Sequence, residues 1–221
     1  ATQAFRDGWF EIQDEGSQLV AQLVQARPGE IGIDFCAGAG GKTLALSAWM
    51  ENRGRILAWD VAEARLKQMA PRLARAGVSN VQTRLLKSER DPYLDQHVES
   101  VDWVLLDVPC SGTGMWRRSP DLKRRTTQQD LEKVTEQQRQ IIDSAARLVK
   151  PGGRLIYATC SILRRENEDQ VARFLTAHLE FTVKPVKLPT GKGGKGPFLR
   201  LFPHQHQTDG FFGAVLIKGT A

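Results

Sequence analysis

Short apolar runs alternate with amphipathic stretches along this chain, and the alternation predicts βαβ units on a mostly parallel sheet. The candidate strands are Ile31 to Phe35, Arg55 to Trp59, Val81 to Leu85, Val101 to Leu106 and Arg154 to Ala158. Helical periodicity fills the intervals between them. Residues 61–76 carry Leu66, Met69, Ala70 and Leu73 at helical spacing and stop at Gly77. The longest helix starts after Thr127, which with Asp130 resembles a capping box. It runs through Leu131, Val134, Ile141, Ala145 and Leu148 to the stop Lys150-Pro151-Gly152-Gly153. A helix over Gln18 to Gln25 packs Leu19, Val20, Leu23 and Val24 on one side. Towards the C-terminus, a strand near Phe181 to Val183 and the apolar run Phe211 to Ile217 predict an antiparallel hairpin that closes the sheet edge. The sum is an α/β fold with seven strands and helices on both faces, a helical lead-in over residues 1–30 and a core over 31–221.

Composition narrows the class. The 221 residues suit one globular domain. No apolar run approaches the ~20 residues needed to cross a bilayer, and the first ten residues lack the apolar centre of a signal peptide, so a cytoplasmic protein is expected. Three cysteines do not make a disulfide framework, and no Cys or His pair has metal-ligand spacing; free thiols and no metal are expected. The net charge of +6 leans towards a polyanionic partner. Basic residues bunch at Arg117-Arg118, at Lys123-Arg124-Arg125 and from Lys187 to Lys195.

Candidate chemistry gathers at strand ends. The segment from Asp34 to Thr43 follows a strand and opens a helix, where backbone amides and the helix dipole receive a polar or anionic ligand. Its tail Gly41-Lys42-Thr43 imitates a phosphate-binding loop, yet that motif needs Gly five positions before Gly41 and Cys36 stands there. Asp60 ends the second strand, where a carboxylate accepts from two ribose hydroxyls or simply caps the helix beginning at Val61. Asp107-Val108-Pro109-Cys110 and Thr159-Cys160-Ser161 deliver a carboxylate and two thiols to the same edge of the sheet. Small buried hydrophobes are the competing reading for two such cysteines.

Seven ordered blocks carry a family resemblance. They are Phe10 to Ser17, Cys36 to Thr43, Asp60 with Arg65, Asp107 to Gly114, Arg117 to Asp121, Thr159-Cys160-Ser161 with Glu166-Asn167-Glu168, and Asp209 to Phe212. On these the sequence resembles the RNA cytosine-5 methyltransferases of the Sun and nucleolar-protein family, in the manner of ribosomal RNA small-subunit methyltransferase B, over nearly the whole chain. A Pro-Cys pair also occurs in DNA cytosine-5 methyltransferases; the added Thr-Cys segment points to the RNA family.

The resemblance implies a Rossmann-like class I methyltransferase fold, S-adenosylmethionine as cofactor, and methylation of cytosine carbon 5 in RNA, ribosomal RNA ahead of transfer RNA. It implies no DNA or membrane partner and a monomeric catalytic piece, since family members often carry a separate RNA-binding domain before this one. Attack on carbon 6 falls to Cys160, the hold on the ring near nitrogen 3 to Asp107, and release to Cys110. The cofactor site maps onto Cys36, Ala37, Gly38, Ala39, Gly40, Gly41, Lys42, Asp60, Arg65 and Asp107, with Lys87 standing where the family has an adenine-side Asp. Ala39 replaces the usual Pro. Arg117, Arg118, Lys123, Arg124 and Arg125 are the expected RNA phosphate contacts, and Trp9, Trp116 or Phe212 the candidates to support an unstacked base. Arg164 and Arg165 are candidates to stabilise the Cys160 thiolate. Two other classes stay open: a P-loop nucleotide hydrolase and a non-catalytic RNA-binding assembly factor.

Overall fold

The computed structural model describes residues 2–186 and 196–220; the basic, glycine-rich stretch from Lys187 to Lys195 lies outside them. A helical turn α1 (Gln3–Arg6) and helix α2 (Glu15–Leu23) precede β1 (Ile31–Asp34). Then follow α3 (Gly41–Trp49), β2 (Arg55–Asp60), α4 (Glu63–Arg75), β3 (Val81–Leu85) and β4 (Val101–Asp107). After α5 (Asp121–Arg125) and α6 (Gln128–Ala146) the chain forms β5 (Val149–Thr159) and α7 (Glu168–Ala177). It ends with β6 (Phe181–Lys184), β7 (Leu199–Leu201), α8 (Pro203–His206) and β8 (Phe211–Lys218).

The strands form one sheet in the order β3-β2-β1-β4-β5-β8-β6. The five strands from β3 to β5 run parallel, and β8 pairs antiparallel with both β5 and β6. The order reverses beside β1, so the carboxyl ends of β1 and β4 flank a crevice at the topological switch point.

Both faces are covered, which is why the central strands read as continuous apolar runs. On one face Val104, Leu106, Leu155 and Tyr157 meet Ile141, Ile142 and Ala145 of α6 and Phe174 of α7. On the other, Trp103, Leu105 and Ile156 meet Leu19 and Leu23 of α2, Leu46 of α3 and Met50 just after it. Successive β4 residues thus alternate between two cores, the two-residue period of a strand. The capping box at Thr127 and Asp130 forms and starts α6.

The sequence expectation departs from the structure at three points. The long helix stops at Ala146, and Lys150 to Gly153 lie within β5 instead of ending a helix. Val149 already pairs with Val101, and a register shift before the Trp103–Arg154 pair absorbs the turn-like residues. Seven strands make the main path, but the short β7 adds an eighth by pairing with Phe211 to Gly213 of β8. Finally, α2 spans Glu15–Leu23 rather than Gln18 to Gln25, whereas the antiparallel C-terminal hairpin closes the sheet edge as expected, with β6 outermost. Among the described residues no helix is long and apolar enough to cross a membrane.

Candidate active site

A cleft of about 730 Å³ opens at the carboxyl ends of β1, β2 and β4. It is lined by Cys36, Ala37, Gly38, Ala39, Gly41 and Lys42 of the loop after β1, and by Asp60, Arg65, Asp107, Cys110 and Cys160. Of the expected cofactor residues only Gly40 and Lys87 stay off its wall. Gly40 works from behind: it sits at φ 84°, and a Cβ there would come within 2.5 Å of Met69 Cγ. Only glycine turns the chain so tightly against α4. Lys87 is exposed, and its backbone N–H donates to Asp91 Oδ2 at 2.8 Å.

Asp60 makes two backbone hydrogen bonds, neither of them a helix cap of α4. Its Oδ1 accepts from the Ala62 N–H at 2.7 Å, while its Oδ2 accepts from the Gly38 N–H at 2.8 Å and ties the glycine loop to β2. Below the loop, Asp34 accepts from Thr43 Oγ1 at 2.7 Å, but its other oxygen is buried without a partner. Burial is the main cause that pushes the Asp34 carboxyl up to about 7, with the Thr43 hydrogen bond opposing it. Burial, then Asp60, raises the Cys36 thiol well above its ordinary value. Among the described residues no group of three or more His, Cys, Asp or Glu could hold a metal ion.

The chemistry-bearing groups converge next to this loop. Register pairs Asp107 of β4 with Ala158 of β5, so the segments that follow run side by side, and the sulfurs of Cys110 and Cys160 lie 3.2 Å apart. The hydrogen bond to Cys160, then burial, raises the Cys110 thiol well above its usual range. Lys42 Nζ lies 2.5 Å from Asp107 Oδ2. Burial disfavours the Lys42 charge, but Asp107 outweighs it and, with Asp34 and Cys160, holds the ammonium above its ordinary value. A lysine that would clasp phosphate in a P-loop is here committed to a carboxylate.

A second cation, in the segment after Cys110, is held on a buried carboxylate. Arg118 is paired to Asp209, whose side chain is fully buried, and Arg117 lies 3.6 Å from the same carboxylate. The hydrogen bond that Arg118 donates to Asp209 is the main cause that raises Arg118, and Cys160 contributes. The cations near Cys160 are therefore Lys42 and Arg118. Arg164 instead pairs with Asp169 at 2.9 Å with an exposed side chain, and Arg165 is exposed as well. Neither is shown beside the thiol.

The remaining basic candidates, Lys123, Arg124 and Arg125, form the exposed last turn of α5. Lys123 Nζ stands 5.7 Å from the Trp116 ring centroid, and Arg125 lies 3.7 Å from Asp121. Of the aromatic candidates, Phe212 is core, Trp116 is half-buried and Trp9 is exposed. Sequence reasoning missed Gln13, Ser17, Arg72 and Glu89, which also line the cleft. Arg72 donates to Ala39 O at 2.6 Å and pairs with Glu11 at 3.1 Å, bracing the loop from α4. Gln13 and Ser17 belong to the first resemblance block, the one signal that pointed to them.

The switch-point loop and the sheet order define a Rossmann-like methyltransferase fold, shared with solved structures from Pyrococcus horikoshii. One, described as NSun6 with SFG, an analogue of S-adenosylmethionine, is 30% identical, with a TM-score of 0.89 over 100% of this chain and 56% of that one. Another, described as a methyltransferase homolog protein, is 32% identical, with a TM-score of 0.84 over 98% of this chain and 70% of that one. The chain belongs to the 16S rRNA methyltransferase RsmB/F family, whose model matches residues 21–217. A probable ribosomal RNA small subunit methyltransferase B from Synechocystis sp. is 36% identical over 97% of this chain and 49% of its own length. The chain spans about half the length of the curated relatives it matches.

Proposed function

We propose that this chain transfers a methyl group from S-adenosylmethionine to carbon 5 of a cytosine in ribosomal RNA, with Cys160 bonding carbon 6. The observation that carries the reading is the 3.2 Å pair of Cys110 and Cys160 sulfurs in the same cleft as the Lys42–Asp107 pair and the glycine loop. Two thiols packed only as hydrophobes do not need a buried ammonium, a guanidinium and a carboxylate around them.

The cleft suits the cofactor. Asp60 retains acceptor capacity beyond its two backbone bonds for ribose hydroxyls. A Cβ at Gly38 would meet nothing within 4 Å, so the loop backbone presents an open surface for close approach. Asp34, also on the cleft wall, keeps one buried carboxyl oxygen without a partner. When bound, S-adenosylmethionine supplies an electrophilic methyl group.

The chain's own residues do the rest. Lys42, in the same cleft, and Arg118, on the segment after Cys110, are the cations available to assist attack by Cys160, and the Cys110 sulfur lies 3.2 Å from it. The sulfur bonds carbon 6 of the target ring, and the ring electron pair shifts to carbon 5, which then accepts the methyl group. Asp107, held by Lys42, is the neighbour proposed for the nitrogen 3 side of the ring, and the Lys42 ammonium beside it offsets the negative charge that the ring takes on during attack. Release requires that the carbon 5 proton leave and the Cys160–carbon 6 bond break, and Cys110 is the neighbouring group for that step.

The test is incubation with labelled S-adenosylmethionine and unmodified small-subunit ribosomal RNA, followed by bisulfite mapping. New 5-methylcytosine is the expected result. Label on transfer RNA alone would move the substrate, and ATP hydrolysis without methyl transfer would revive the nucleotide-hydrolase reading.

A further inference from the structure

Glu166 lies fully buried behind the two cysteine segments and takes no part in the chemistry above. Its Oε1 accepts from the Ser111 N–H at 2.7 Å and from Gln138 Nε2 at 3.1 Å. Its Oε2 accepts from Ser111 Oγ at 2.5 Å and from Ser161 Oγ. Ser111 follows Cys110 and Ser161 follows Cys160, so one carboxylate is tied to the residue next to each sulfur. The tie is itself anchored. Gln138 also donates to Pro109 O at 2.9 Å, Tyr157 OH donates to Glu166 O at 2.6 Å, and the Gly114 N–H donates to Cys160 O at 2.9 Å.

Filling space does not explain this arrangement. Burying a carboxylate costs several kcal/mol unless its acceptors are satisfied, and an apolar side chain would fill the volume without that cost. Four donors converge on Glu166, and three of them belong to the serines beside the cysteines.

We propose that Glu166 is a positioning residue that fixes the separation of the Cys110 and Cys160 sulfurs and thereby the passage from attack to release. The catalytic half of this inference rests on the proposed function; the geometric half does not. In Glu166→Gln the shape persists, but the charge and one of the two acceptor oxygens are lost, so the tie between the two segments is weakened on one side. A displacement of about 1 Å in such a pair is enough to slow chemistry severely.

The geometric half is tested on the free protein with diamide, an azo oxidant that takes two electrons and two protons from a thiol pair as the disulfide forms. Formation of the Cys110–Cys160 disulfide, followed by mass spectrometry, is expected to be about tenfold slower in Glu166→Gln than in the parent protein. Cofactor binding should stay within about twofold, because Glu166 is not on the cleft wall. An unchanged disulfide rate would overturn the inference. If Glu166→Gln does not fold, Ser111→Ala removes one arm of the tie and should also slow the reaction; a parental rate there overturns it equally.

The catalytic half is read with RNA and cofactor present. Glu166→Gln is expected to accumulate a denaturation-resistant protein–RNA adduct, as Cys110→Ser does, with kcat reduced about tenfold and KM for RNA within about twofold. An adduct from Cys110→Ser but not from Glu166→Gln would overturn the role of Glu166 in release while sparing Cys160. No adduct from either variant, together with slowed disulfide formation in Glu166→Gln, would support the positioning role and overturn the covalent reading of Cys160.

Discussion

Lys42 Nζ lies 2.5 Å from Asp107 Oδ2, on the same cleft wall as Cys160. The pair joins the loop after β1 to the end of β4, across the switch point of the sheet. It places a fixed positive charge in the cleft that also holds the Cys160 thiol, which has no histidine beside it in sequence; under the proposed mechanism Lys42 is the group that assists attack.

Lys42→Met should therefore slow alkylation of Cys160 by iodoacetamide near neutral pH by about tenfold, and methyl transfer by about a hundredfold. Mass spectrometry of the labelled peptide reads the first and a filter assay the second. Neutralising Arg164 and Arg165 together should leave the alkylation rate unchanged, because Arg164 is committed to Asp169 and both side chains face solvent.

Asp34 predicts a pH dependence of stability. Its folded value of about 7 lies above the 3.8 of an ordinary Asp. Between those values the folded state holds the proton that the unfolded state releases. The stabilisation from protonated Asp34 is therefore complete at low pH and declines as pH rises towards about 7. Asp34→Asn removes this dependence, whatever constant cost its amide brings. Denaturant unfolding from about pH 5 to pH 8 should show the variant gaining on the parent by a few kcal/mol; parallel curves would contradict the assignment.

Gly40→Ala should destabilise the fold by roughly 1–3 kcal/mol, since the residue is at φ 84° and its Cβ would reach 2.5 Å from Met69 Cγ. Thermal unfolding measures that loss. Affinity for the cofactor should fall as well, because displacement of this turn carries Gly38 away from Asp60.

Strand ends were the most legible part of this sequence. Apolar runs bounded by turn residues located β1 to β4, and the thiols and Asp107 followed because parallel strands deliver their ends to one edge. Periodicity failed where long-range pairing decided the backbone. Lys150-Pro151-Gly152-Gly153 has the composition of a helix stop, yet Val149 had already joined Val101 in the sheet. The three residues of β7, Leu199-Arg200-Leu201, alternate but are too few to mark a strand alone, and they are one because β8 pairs with them. Arg118 owes its position to Asp209, 91 residues further along, and Lys42 meets Asp107 across 65. Such distances leave no periodic trace, so local order drew attention to Arg164 and Arg165 instead.

The unequal roles of the two cysteines are the central claim, and trapping the covalent adduct tests them most directly. Each variant is incubated with unmodified small-subunit ribosomal RNA and S-adenosylmethionine, then resolved under denaturing conditions. Cys110→Ser should accumulate a protein–RNA adduct, and Cys160→Ser should give none and transfer no methyl group. An adduct from Cys160→Ser with none from Cys110→Ser would contradict the account.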